Sequence, residues 1–176
     1  MGSKVYVDLK DALAVGAGVY KMDLSYKKLD PKDYQKISKL KDLQVLKLSG
    51  NEVLEFPKNI GDMFNLVYFA SYNNQFSAFP SDFKKLQNLN HLELSATKID
   101  SIPADIAYLS KLKTIKFSDT DDTLKLPVTL KYMKNLQDIQ IENCIMDSFP
   151  KQIFRVQSLK FLYLSKTNTY SLTTHF

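Results

Sequence analysis

One apolar motif recurs along almost the whole chain, and its spacing leaves little freedom of fold. The pattern L-x-x-L-x-L is read at Val19-Met22-Leu24, Leu43-Leu46-Leu48, Leu66-Phe69-Ser71, Leu89-Leu92-Leu94, Leu112-Ile115-Phe117, Leu136-Ile139-Ile141 and Leu159-Leu162-Leu164. Its starts step by 24, 23, 23, 23, 24 and 23 residues. A second marker keeps the same beat in the middle of the chain: Phe56-Pro57, Phe79-Pro80, Ile102-Pro103, Leu126-Pro127 and Phe149-Pro150. Two registers in phase mean that one supersecondary unit is copied along the chain. Such a unit cannot bury its apolar face alone and must stack on its neighbours.

Each unit carries two periods. The alternation within L-x-L is that of a strand. Three and six residues after each proline stand the apolar pairs Ile60 and Met63, Phe83 and Leu86, Ile106 and Leu109, Leu130 and Met133, and Ile153 and Val156. That spacing puts both side chains on one face of a helical turn, and proline presets φ where the turn begins. The predicted fold class is therefore α/β: a right-handed solenoid with a curved parallel sheet on its concave face and short helices or 3-10 turns on its convex face. From Val19 to about Leu172 the chain resembles the bacterial leucine-rich-repeat family of the 23-residue class, whose pattern is L-x-x-L-x-L-x-x-N-x-L-x-x-L-P-x-x-I-x-x-L. Val7 to Leu13 is similar to the short amphipathic helix that opens several such proteins. Asp8 is placed to cap it, and Leu9, Ala12 and Leu13 share one face. The expected organisation is one structural domain, with a capping helix in 4–18 and seven repeats in 19–176, starting at 19, 43, 66, 89, 112, 136 and 159, the last one partial.

The departures from the pattern carry their own expectations. The family's ninth position holds Asn, which bonds backbone groups where the chain leaves the strand; here it is Lys27, Asn51, Asn74, Thr97, Thr120, Cys144 and Thr167. Thr and Cys fit the space but give a shorter, weaker ladder. Cys144 reads as a buried structural residue, since no His lies near it in sequence. Ser71 stands where an inward apolar residue belongs, so it must bond to backbone or the strand must shift. Asp119-Thr120-Asp121-Asp122 reads as a solvated acidic turn and lacks the ligand spacing of a calcium loop. In the first repeat Pro31-Lys32-Asp33-Tyr34 starts a longer helix. At the other end Leu164, Leu172 and Phe176 form an improvised cap or else stack on a second copy. A monomer is the expected state.

Composition removes several functional classes. Only Arg155 among 24 basic residues is an arginine and the net charge is +5, a poor footprint for a nucleic-acid reader. No apolar run reaches the roughly 18 residues that a membrane helix needs. The lone cysteine does not report a redox compartment. His91 and His175 are the only histidines. No nucleophile-base pair, phosphate-cradling glycine loop or metal-spaced cluster can be assembled, so neither catalysis nor a cofactor or metal is expected. Met1-Gly2-Ser3 reads as an artificial start that leaves room for a natural signal peptide. A secreted or cell-surface location is expected, with the cytoplasm as the alternative.

Recognition is expected on the sheet. The variable strand positions point away from the core in three columns. These are Lys21, Val45, Tyr68, His91, Thr114, Asp138, Phe161; then Asp23, Lys47, Ala70, Glu93, Lys116, Gln140, Tyr163; and Ser25, Ser49, Tyr72, Ser95, Ser118, Glu142, Ser165. Tyr26, Tyr68, Tyr72, His91, Glu93, Lys116, Gln140, Phe161 and Tyr163 are the candidate partner-binding residues, because aromatic side chains dominate interface anchors. As the resemblance implies for many short members of the family, the expected partner is a protein. A glycan that stacks on the tyrosines, or a second copy of the chain, is the alternative.

Overall fold

In the computed structural model, which describes residues 4–120, 123–146 and 150–167, seven strands form one parallel sheet in chain order. They are β1 (Lys21–Asp23), β2 (Val45–Lys47), β3 (Tyr68–Tyr72), β4 (His91–Ser95), β5 (Thr114–Thr120), β6 (Asp138–Cys144) and β7 (Phe161–Ser165). Pairing follows the repeat position by position. Met22, Leu46, Phe69, Leu92, Ile115, Ile139 and Leu162 are successive partners, and so are Lys21, Val45, Tyr68, His91, Thr114, Asp138 and Phe161. The first row points into the core and the second away from it, because side chains alternate along a strand.

The opposite wall is mostly 3-10 turns. Ala104–Tyr108, Val128–Tyr132 and Lys151–Arg155 each start directly after a proline with φ between −68 and −76°. Ile60–Asp62 and Phe83–Lys85 start three residues after theirs. In every one of them the first member of the predicted apolar pair is buried. The first repeat differs: α2 (Pro31–Tyr34), capped by Asp30, runs on towards a 3-10 turn at Ile37–Lys39. Tyr34 is buried there and donates its hydroxyl to the Glu55 carbonyl at 2.9 Å.

Between the two walls lies one continuous core. Its middle is aromatic: Phe56 packs against Phe76 at 4.2 Å between ring centroids, Phe69 at 5.7 Å and Phe79 at 5.5 Å. Each such ring, fully removed from water, contributes about 1.5–3 kcal/mol before the cost of ordering it. At the N-terminal side α1 (Leu9–Val15) begins at Asp8, whose carboxylate accepts from the Lys10 and Asp11 amides. Leu9 and Ala12 are buried in the core, while Tyr6 bonds the backbone of Lys21 and Asp23 along the outer edge of β1. Leu172, His175 and Phe176 lie outside the described residues, as do Asp121, Asp122 and Phe149.

The turn that leaves each strand is held from inside. Asn51 Nδ2 donates to the carbonyls of Leu24, Leu48 and Ser49, and Asn74 Nδ2 to that of Leu48. Asn74 Oδ1 accepts from the amides of Asn51 and Val53, and Asn51 Oδ1 from that of Lys27. Ser71 finds neither of the expected solutions: the register is kept, and its hydroxyl accepts from the Asn74 side chain at 2.7 Å instead of bonding backbone. The same Asn thus reaches both the preceding repeat and the polar hole in its own. Beyond it the ladder thins. Thr97 is buried with its hydroxyl unpartnered, and Cys144 makes a 3.2 Å contact from sulfur to the Glu142 carbonyl, with burial pushing the thiol pKa up.

One residue before this ladder the chain turns left-handed in every repeat. Tyr26, Gly50, Asn73, Ala96, Asp119, Asn143 and Lys166 all have φ between 47 and 64°. Gly, Asn and Asp visit this region readily; for Ala, Tyr or Lys it carries a steric cost.

Candidate ligand-binding face

The three outward columns form the solvent face of the sheet. Near its centre, Tyr68 and His91, cross-strand partners, stack with ring centroids 4.6 Å apart and planes 5° from parallel. Glu93 adjoins both. Its Oε1 takes the Lys116 ammonium at 2.9 Å, and its Oε2 is 3.5 Å from both the Tyr68 hydroxyl and His91 Nε2. The His91 approach is too poorly aligned for a hydrogen bond, so that buried ring nitrogen has no hydrogen-bond partner. Burial pushes the Glu93 carboxyl up, but the hydrogen bond and charge of Lys116, with help from His91, outweigh it and hold the group below the usual carboxylate value. Burial also raises the Tyr68 phenol, and the Glu93 charge adds to that. His91 is accordingly one member of a stacked, half-buried network.

Towards the N-terminal side, Tyr26 and Tyr72 meet edge to face at 6.3 Å, and the neighbouring Tyr72 side chain raises the Tyr26 phenol. Gly50 makes this possible: it sits at φ 64°, and a side chain there would run into the Tyr26 ring. Tyr26, Tyr68 and Tyr72 share an open groove of about 450 Å³ with Asp23, Lys47, Ala70 and Glu93. The far end of the face is separate. Phe161 and Tyr163 are 51% and 42% exposed on β7, whereas the Gln140 amide is turned onto Asp138 at 3.1–3.2 Å. Between the two ends the third column is a hydroxyl and amide chain, from Ser118 to Ser95 and from Ser95 and Asn143 to Asp119. The Asn143 hydrogen bond comes first among the causes that hold the Asp119 carboxyl below its usual value.

No protein-family model and no curated protein matches this sequence. Solved structures do. A leucine-rich-repeat protein of Leptospira interrogans superposes with a TM-score of 0.73 at 25% identity over 97% of this chain. The protein has a leucine-rich-repeat fold. Two internalins of Listeria monocytogenes superpose with TM-scores of 0.70 and 0.69, each at 19% identity, over 96% and 84% of the leucine-rich-repeat chain. The chain spans 49%, 47% and 62% of these three neighbours.

In the leucine-rich-repeat frame the candidate residues divide into two groups. Tyr68, Tyr72, His91, Glu93 and Lys116 fall together on β3 to β5, joined by Tyr26 just after β1, while Gln140, Phe161 and Tyr163 stand on β6 and β7. Sequence reasoning passed over Lys47 and Ala70, which complete the groove. The smallness of Ala70 between two tyrosines was the available signal. Among the described residues no helix is long and apolar enough to cross a membrane, and no group of three metal-ligating side chains is formed.

Proposed function

We propose that this leucine-rich-repeat protein is a non-catalytic interaction module of a bacterium, secreted or displayed at the cell surface, that takes a protein partner on the concave sheet face. The observation that carries the reading is the set of large aromatics standing in solvent on an otherwise ordered sheet: Tyr26 at 64%, Phe161 at 51%, and Tyr72 and Tyr163 at 42% exposure. An exposed ring offers much apolar area at little entropic cost, which is why such residues anchor interfaces. Seven strands at about 4.8 Å span roughly 30 Å, the width of a standard contact patch. The likeness to internalins supports an interaction module in general.

The test is capture by the biotinylated protein from bacterial lysate and from host extracellular proteins, with Tyr68→Ala/Tyr72→Ala and Phe161→Ala/Tyr163→Ala variants alongside. A protein held by the wild type and lost by a correctly folded variant is the expected result. Binding confined to a glycan array, with no protein captured from either source, overturns it.

A further inference from the structure

The outward face of β3 reads Tyr68, Ala70, Tyr72, a methyl between two phenols. In register on either side of Ala70 stand Lys47 and Glu93. A small residue ringed by four long ones makes a recess, and Tyr26 closes it from the β1 side. Ala70 is only 5% exposed although it points away from the core, so its neighbours already overhang it.

The charges of the rim are unequal. The Glu93 carboxylate is bound by Lys116, and Asp23, opposite Lys47 in register, turns Oδ1 to the Ser25 amide at 3.0 Å. Among the described residues Lys47 makes no ion pair, and Lys27 on the same rim is exposed as well. Further along the face β6 carries two outward carboxylates, Asp138 and Glu142. A cationic ligand would meet Lys47 and Lys27 at the recess, and a neutral one would leave both ammonium groups unused. Complementarity therefore selects an apolar body with a negative charge beside it.

We infer that the Ala70 recess is the seat for one bulky apolar side chain of an acidic protein segment, with a neighbouring carboxylate of that segment paired to Lys47. The acidic end of the segment lies over β1 and β2, away from Asp138 and Glu142. The inference rests on the protein-binding reading above and names the partner chemistry that reading leaves open.

The probe is a phage-displayed library of random dodecapeptides, panned on the intact chain, with enriched peptides measured by fluorescence anisotropy. Sequences with an aromatic or large aliphatic residue next to Asp or Glu are expected to dominate. Ala70→Leu fills the recess from the solvent side, away from the core, and circular dichroism melting confirms that the variant is folded. It should weaken these peptides about tenfold or more, as loss of an anchor does. Lys47→Glu should do the same, while Lys47→Arg retains binding, and added salt should weaken the wild-type complex. Enrichment of basic or uncharged peptides overturns the inference. So do peptides that ignore Ala70→Leu but are lost with Phe161→Ala/Tyr163→Ala, an outcome that leaves protein binding on the face intact. Glycan binding with no enriched peptide removes the protein-binding reading itself.

Discussion

Replacing Thr97 by valine should stabilise the protein, although it deletes a polar group from a repeated polar position. Thr97 follows Asn51 and Asn74 on the buried ladder and is 1% exposed, but its side chain is too short to reach the carbonyls an Asn engages, and its hydroxyl is unpartnered. A buried hydroxyl without a hydrogen bond costs about 1–3 kcal/mol in proteins. Valine has nearly the same shape and puts a methyl in that space, worth at most about 0.8 kcal/mol by transfer. Allowing for imperfect fit, the expected gain is about 1 kcal/mol, or roughly 2–4 °C in Tm for a chain of this size. Urea unfolding followed by circular dichroism reads it as a rise in midpoint at unchanged slope. Asn74→Val is the opposite control. It strips hydrogen-bond partners from the Leu48 carbonyl, the Ser71 hydroxyl and the amides of Asn51 and Val53, and should cost about 3 kcal/mol or more. A loss of more than about 0.5 kcal/mol in Thr97→Val would mean that the hydroxyl is satisfied after all, and the reasoning would fall.

Two further outcomes follow from the same geometry. Ala96 holds φ 47°, so Ala96→Gly should gain about 0.5–1 kcal/mol, whereas Gly50→Ala should lose more than that and displace the Tyr26 ring; urea midpoints of the pair decide it. The folded-state depression of Glu93 adds stability that is present above the ordinary carboxylate pKa and is lost as pH falls through the lower folded value. Glu93 and Lys116 remain 23% and 39% exposed, so solvent screening limits the effect to below about 1 kcal/mol. Glu93→Gln should flatten the acid limb of a Tm-against-pH curve by that amount, and an unchanged limb would contradict the assignment.

The register of the sheet was legible because a period of 23 or 24 residues, kept through seven copies, admits only one in-phase stacking. Met22, Leu46 and Phe69 pair as their repeat positions demand. Strand length was not legible: β1 and β2 have three residues, but β5 and β6 have seven and still pair at Thr120 and Cys144. Nothing in the apolar pattern encodes where pairing stops. Ser71 was flagged correctly as needing a partner, but the choice of Asn74 over backbone depends on a side-chain reach that spacing does not give. The left-handed column had a visible trace, since Gly50, Asn73, Asp119 and Asn143 share one phase; Tyr26, Ala96 and Lys166 hide it. On the face, the alternation places Tyr68, His91, Glu93 and Lys116 as neighbours, yet the 5° ring stack and the unaligned His91 nitrogen come from rotamers.

Because the strands lie in chain order and each hydrogen-bonds only the next, distance along the face is counted in whole repeats. The tyrosines of β3 and the aromatics of β7 are four strand spacings apart, about 19 Å. Duplicating the unit between β4 and β5 would push the two groups apart by one further graduation, about 4.8 Å, while leaving the immediate surroundings of each unchanged. The molecule is in this sense a ruler whose length is written in its gene as copy number, and a partner that grips both ends measures that number.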